Sequence, residues 1–182
     1  MFLNIITPCS RPENLLTVSD SININIPREN YRWIVVFDSD CFPNFDLIPK
    51  NCECYMIKDL NSISGNAQRN YALSLVDSGH VYFNDDDTTI HEDLWENIKE
   101  LENDFISFSQ SNQNGSFRLM GDFIEVFNID SHNFIVSKDI IGYSKFSIRE
   151  YVADGIFAKE CYSRCRNPLF INKVLSIYNC LR

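Results

Sequence analysis

The sequence predicts an α/β fold, with a mostly parallel central sheet flanked by helices. Three observations predict it. Short apolar runs alternate with helix-period segments in the order strand, helix, strand, strand, helix, strand, as in chains whose parallel strands are joined by crossover helices. Residues 33–37 are apolar at every position, as a strand covered on both faces requires, and residues 3–7 make a shorter, mainly apolar run. Thr7, Pro8, Asp38 and the trio Asp85-Asp86-Asp87 all fall at the carboxyl ends of such runs, where open α/β sheets bind ligands.

In order along the chain, residues 3–7 form a first strand, stopped by Pro8. Ser10-Arg11-Pro12-Glu13 fits the S-x-x-E capping box, with Pro12 tolerated in a first turn, and opens a helix to about residue 19. Ile22, Ile24 and Ile26 alternate with polar residues, but Pro27 and the short span leave that piece open between strand and loop. Residues 33–37 give the strongest strand signal, ending at Asp38. A weaker strand over 54–58 precedes a polar turn at 59–61. Ser64-Gly65 opens a helix to about Asp77, and Gly79 suits the position just past its end. The acidic strand, Val81-Tyr82-Phe83, follows.

The second half changes character. Residues 91–103 predict an amphipathic helix with Leu94, Ile98 and Leu101 on one stripe. Short strands are expected at 105–110, 117–120, 123–128 and 133–136, then helices at 150–164 and 169–181. At 182 residues the chain suits a single domain with one core.

Composition narrows the function classes. A net charge of −9 argues against general nucleic-acid or anionic-membrane binding, which needs a basic surface. A nucleotide is not excluded, since a few arginines and a metal can hold one. No run approaches the roughly 20 apolar residues of a membrane span, and the start of the chain lacks the basic region of a signal peptide. The seven cysteines are odd in number, and neither Cys52-Glu53-Cys54 nor Cys161…Cys165 has C-x-x-C spacing. Reduced thiols in a cytoplasmic protein are expected.

The acidic trio sits directly after a buried strand. Two like charges about 4 Å apart repel by roughly 1 kcal/mol in water and about 4 kcal/mol at an intermediate dielectric, so three together call for compensation. A divalent cation is the usual source, often with a diphosphate alongside. If strand geometry persists, Asp85 and Asp87 point one way and Asp86 the other. The same residues also suit a solvated acidic turn.

Several ordered stretches then resemble one family, the nucleotide-sugar glycosyltransferases of the GT-A (Rossmann-like) fold. Ile5-Ile6-Thr7-Pro8-Cys9-Ser10-Arg11-Pro12-Glu13-Asn14-Leu15 resembles their opening strand and loop, and residues 33–38 their second strand with its terminal acid. Gly65-Asn66-Ala67-Gln68-Arg69-Asn70-Tyr71-Ala72-Leu73 resembles the helix with an Arg-Asn pair. Val81-Tyr82-Phe83-Asn84-Asp85-Asp86-Asp87-Thr88 resembles the D-x-D strand of family-2-like and glucuronyltransferase-like members. Residues 129–136, followed by Tyr151-Val152-Ala153-Asp154-Gly155, resemble the acceptor-side strand and the acid ahead of the catalytic helix. The resemblance covers about residues 3–160.

The resemblance implies transfer of a sugar from a nucleotide-sugar, UDP-sugar favoured, to a glycan or other hydroxyl acceptor. About residues 1–90 would bind the donor and 91–182, with a smaller β segment, the acceptor. Asp87 would hold Mn²⁺ or Mg²⁺, with Asp85 or Asp86 completing the shell or reaching the ribose. Thr7, Pro8 and Arg11 would line the nucleotide pocket, and Asp38 would accept a bond from base or ribose. Arg69 would pair with Asp85 or a phosphate, though a surface ion pair also suits it. Asp154 would be the base of an inverting reaction, though it also suits a helix N-cap. His132, Asn133 and Tyr151 would lie on the acceptor side. The chain lacks the later metal-ligand histidine of some relatives, and a homo-oligomer stays open. Two other readings compete. Asp85-Asp86-Asp87-Thr88-Thr89 fits D-x-D-x-T, the nucleophile motif of haloacid-dehalogenase-type phosphatases using Asp85 and Asp87, but that family carries it on the first strand. A non-catalytic nucleotide-sugar- or carbohydrate-binding module is the third.

Overall fold

A computed structural model describes residues 1–39, 44–58 and 62–182 of the chain. The polar turn expected at 59–61 lies outside the described residues. The sheet runs β3(Cys52–Ile57), β2(Tyr31–Asp38), β1(Leu3–Cys9), β4(His80–Phe83), β7(Phe134–Ser137), β5(Phe105–Asn112), with β6(Phe117–Leu119) and β8(Pro168–Tyr178) also paired to β5. β1 pairs in parallel with β2 and β4, and β2 with β3. β7 is antiparallel to both β4 and β5, whereas β8 is parallel to β5. β1, β2, β3, β4, β5 and β8 therefore point the same way, and their carboxyl ends share one edge. β7 runs backwards and brings its amino end to that edge.

The strands divide their side chains between two faces. Leu3, Ile5, Trp33, Val35 and Phe37 join a cluster with Leu15, Val18 and Ile22 of α1(Leu15–Asn25) and with Leu94 and Ile98 of α3(Leu94–Ile98). Ile6, Ile34 and Val36 join the opposite cluster, with Ala72 and Leu73 of α2(Asn66–Ser74) and Phe157 of α5(Ala153–Tyr162). The predicted two-sided burial is thus the strand period of two, read on both faces. A short helix, α4(Lys138–Ile141), follows β7.

Several expected elements differ. The Ser10 capping box does not form: the helix is preceded by a 3₁₀ turn at Pro12–Asn14, and Ser10 binds Asp86 instead. The helix runs to Asn25 and absorbs Ile22, whose burial against the sheet overrides the local alternation. α2 stops at Ser74, short of Asp77. Of the helix expected over 91–103, Leu94–Ile98 is helical, and Leu101 packs on the core from a following turn. The predicted strand at 123–128 is a set of turns in which Ile124 is buried and Phe127 has φ +72°. The largest correction is the expected helix at 169–181, which is β8. Its pairing with β5 slips between Phe108 and Ser109 and again between Ser109 and Gln110. Those bulges insert extra residues and break the alternation, leaving a spacing that imitates a helix.

Candidate active site

The shared edge holds a cleft of about 500 Å³, lined from the loop after β1, the acidic turn after β4, the start of α2, the segment before β7, the start of α5 and the end of β8. Strand register explains why distant residues meet there. β1 pairs Ile6 with Phe83, so the loop after β1 emerges beside the acidic turn, where the Ser10 and Arg11 amides reach Asp86. β4 pairs Tyr82 with Ile135 in the antiparallel sense, so three steps onward Asp85 faces His132.

β4 ends at Phe83 and the chain turns, with Thr88 N donating to Asp85 O at 3.1 Å. Asp85, Asp86 and Asp87 therefore do not alternate; Asp86 and Asp87 share one partner and Asp85 has others. Asp86 Oδ2 accepts from the amides of Ser10 and Arg11, both at 2.6 Å, and the Arg11 guanidinium bonds its other oxygen. Arg11 Nη1 also lies 3.1 Å from Asp87 Oδ2, and Arg182 Nε donates to that oxygen at 2.6 Å. Arg69 grips Asp85 with two bonds from Nη2, at 2.6 and 2.8 Å. Compensation for the crowded carboxylates is thus supplied within the chain by three guanidiniums, with charge-assisted geometry.

Burial sets the electrostatics. Desolvation would raise the Asp85 carboxyl, but Arg69 and His132 overcome it and hold the group well below the usual range. For Asp86 burial wins over the bonds from Ser10 and Arg11, and its pKa is raised. His132 is 2% exposed, with Nε2 3.2 Å from Asp85 Oδ2 and Nδ1 3.3 Å from Asp130 Oδ1. Burial disfavours its charge, yet Asp85 and Asp130 outweigh that and raise its pKa to about 9. Nε2 is also 3.2 Å from the Asp85 amide, a bond only the neutral ring could accept. Two flanking carboxylates decide for the imidazolium. Asp130 continues the chain of alternating charge to Arg118, at 2.9 Å, whose guanidinium stacks 3.6 Å from the Tyr178 ring centroid.

Asp154 is the second residue of α5 and lines the cleft; Val152 occupies the N-cap position, so the cap reading fails. Its Oδ1 accepts from the Gly155 amide at 2.8 Å. Burial first, and the Asp130 charge second, raise its pKa to about 6. α2 places this segment. Asn66 donates to the carbonyls of Ser147 and Glu150, while Asn70 exchanges two bonds with the backbone of Phe146. Asn66 and Asn70 are one turn apart on the helix, with Arg69 beside them reaching the acidic turn. The helix enters at Gly65, at φ +74°, where an added Cβ would lie 2.6 Å from Pro8 Cβ.

Of the other predicted site residues, Pro8, Asp38 and Tyr151 line the cleft. Thr7 does not: its fully buried hydroxyl donates to Asn84 O at 2.6 Å and accepts from Trp33 Nε1 at 2.9 Å, fastening β1 to the acidic turn. Asn133 is also fully buried, its Oδ1 accepting from the Asp130 amide in a capping box. Sequence reasoning missed Gln68, Arg118, Phe127, Asp130, Tyr178 and Arg182, all of which line the cleft. Gln68 Oε1 is buried with no hydrogen-bond partner, a group that a ligand could satisfy. The adjacent Arg-Asn pair is the signal that could have flagged Gln68. Tyr178 and Arg182 carried no signal once their segment was read as helix.

Among the described residues no three His, Cys, Asp or Glu side chains converge on a common metal position. The acidic turn carries hard carboxylate oxygens at the cleft wall, each carboxylate engaged by a guanidinium. A Mg²⁺ or Mn²⁺ held by Asp87 together with substrate phosphates would take the place of Arg11 or Arg182 there. The phosphatase motif is out of place, because it follows the fourth strand and Asp85 is held by Arg69 and His132. Among the described residues no helix is long and apolar enough to cross a membrane.

No protein-family model matches the chain, and no curated protein matches it by sequence. Solved structures do match. S. aureus TarS 1-349 superposes with a TM-score of 0.79, at 18% identity over 97% of this chain and 60% of that one. Its complex with UDP-GlcNAc gives 0.80 at 17% identity, over 97% and 58%. The mannosyltransferase PcManGT from Pyrobaculum calidifontis, in complex with GDP-Man and Mn²⁺, gives 0.67 at 10% identity, over 97% and 56%. The chain spans about 60% of the length of the TarS fragment it matches. The mixed α/β sheet and its flanking helices therefore have the GT-A glycosyltransferase fold.

Proposed function

We propose that the chain is a glycosyltransferase that moves a sugar from a nucleotide-sugar, UDP-sugar favoured, to an acceptor hydroxyl with inversion. The observation that carries this reading is the convergence in one cleft of an arginine-braced acidic turn and Asp154, a carboxylate whose pKa is raised to about 6. The UDP-GlcNAc and GDP-Man complexes of the neighbours support a nucleotide-sugar donor. In this reading the chain is one domain, with donor binding in about residues 1–90 and acceptor binding in about 91–182. Pro8, Arg11, Asp38 and Gln68 take the nucleotide. Arg11 and Arg182, which line the cleft and hold Asp87, would supply cations for the growing negative charge on the leaving diphosphate.

Asp154 accepts the proton of the acceptor hydroxyl as that oxygen attacks the anomeric carbon. The bond from that carbon to the diphosphate oxygen breaks, and nucleoside diphosphate leaves. A carboxylate with a pKa near the working pH is both deprotonated and basic enough for this task. Asp87, with Asp86 or Asp85, would hold a divalent cation, Mn²⁺ as in the PcManGT complex or Mg²⁺. When bound, it supplies Lewis-acid neutralisation of the diphosphate.

A thermal-shift screen of UDP-, GDP-, CMP- and dTDP-sugars, with and without Mn²⁺, tests the reading. A donor at 100 times its Kd stabilises the native state by about 2.7 kcal/mol. Asp87→Ala should remove the Mn²⁺-dependent part of that shift. If no nucleotide-sugar shifts the melting temperature, the reading falls. Donor binding without transfer or hydrolysis would mark a non-catalytic module instead.

A further inference from the structure

The mouth of the cleft on the Asp154 side carries two large rings that folding leaves in water. Phe127 is 78% exposed and Tyr151 is 77% exposed, and both line the cleft. Single exposed apolar residues are ordinary, but Phe127 also sits at φ +72°. A bulky residue there is a genuine outlier that the surrounding structure must impose. The imposition is visible. Gly155, beside Asp154, leaves room for the backbone of Val126, whose Cα would lie 2.8 Å from a Cβ at that position. Lys159 of α5 pairs with Glu125 at 2.6 Å, and Ile124 is buried. The turn at 123–128 is thus fastened against α5, and Phe127 lines the same cleft as Asp154.

The cleft that the two rings line also carries Arg118, Asp130 and Asp154, which are polar and charged. Exposed rings on a polar, charged cleft match a pyranose. Its C–H bonds, polarised by neighbouring oxygens, lie on the electron-rich ring faces, while its hydroxyls reach the carboxylates and guanidinium. A peptide or lipid partner would call for a contiguous apolar surface instead.

We propose that Phe127 and Tyr151 form an aromatic clamp for a pyranose ring of a glycan acceptor. The proposal rests on the glycosyltransferase reading above and narrows its acceptor to a cyclic sugar. Phe127 is a positioning residue here: it holds the acceptor, and Asp154 takes the proton.

The test uses tetrasaccharides of glucose, mannose, galactose and N-acetylglucosamine, in both anomeric linkages, with the open-chain polyol sorbitol as control. Saturation-transfer NMR reads their binding to the full chain. At least one tetrasaccharide should receive saturation at its ring C–H protons, and sorbitol should not. Phe127→Gly removes the ring and relaxes the backbone at positive φ, so the variant should melt at or above the parent temperature. It should bind the saccharide about tenfold more weakly, with Tyr151→Ala similar, while nucleotide-sugar thermal shifts stay unchanged. Intact donor binding with no saccharide binding, or with binding indifferent to Phe127→Gly, overturns the clamp and leaves the transferase reading standing. Ring-dependent saccharide binding with no donor shift supports the clamp and removes the transferase reading.

Discussion

The two walls of the cleft are built on opposite principles. On the acidic-turn side every carboxylate is held: Asp85 by Arg69 and His132, Asp86 by Arg11 and two amides, Asp87 by Arg11 and Arg182. On the α5 side, among the described residues, Asp154 accepts one hydrogen bond, from the adjacent amide of Gly155, and the exposed Phe127 and Tyr151 line the same cleft. The first wall is preorganised, its charges balanced before any ligand arrives. The second is poised, with a desolvated carboxylate whose raised pKa leaves it free to take a proton. Chemistry that must bind a charged donor firmly and an acceptor transiently needs this division.

The comparison breaks most sharply at Asp154. Asp154→Asn keeps the shape but cannot accept a proton, so turnover should fall roughly 10²–10⁴-fold with donor affinity near that of the parent. Donor affinity and turnover measured on this variant decide it, and turnover within a few-fold of the parent removes Asp154 from the mechanism. In the parent, kcat/KM should drop as pH falls below about 6, where Asp154 becomes protonated.

On the acidic wall, Arg69→Ala removes a buried guanidinium and leaves the partly buried Asp85 without its main cation. Breaking a buried pair costs about 3–5 kcal/mol, and the partial exposure of Asp85 puts this loss at the low end, which urea denaturation should register. Arg11→Ala should cost less, because Asp86 keeps the amides of residues 10 and 11 and Asp87 keeps Arg182. Equal losses at both positions would undo the picture of one tightly locked wall.

His132 gives a smaller, pH-dependent effect. Its folded pKa of about 9 exceeds the ordinary 6.5, so its contribution is complete below pH 6.5 and fades as pH rises through 9. Melts at pH 7 and 10 should differ by on the order of 1–3 kcal/mol, and His132→Asn should flatten that difference. An effect of similar size is expected at the helix entry. Gly65→Ala must shift Pro8 and accept a positive φ, costing about 1–3 kcal/mol. A loss on both walls at once, in Asp86-side donor binding and in turnover, would show that α2 couples them through Arg69 and Asn66.

By itself the sequence determined the α/β class, the first four strands and the ligand edge, because those rest on local signals. Consecutive apolar residues make doubly covered strands, and the polar residues after them fall at carboxyl ends by construction. It also marked Asp85, Asp86 and Asp87 by their crowding after a strand, whereas Arg69 and Asp154 were marked only through the family resemblance. Tertiary structure alone decided the rest. β8 is a strand because β5 offers its edge, and two register slips erase the alternation that local reading depends on. Thr7 and Asn133 are fasteners rather than cleft residues because the Thr7 hydroxyl and Asn133 Oδ1 are spent on buried hydrogen bonds to the backbone. Arg182 reaches Asp87 across 95 positions because β8 runs parallel to β5 and delivers its end to the same edge. Phe127 faces the cleft because Gly155 admits the backbone beside it. Each is a pairing between segments far apart in the chain, and periodicity within a segment carries no record of what lies across from it.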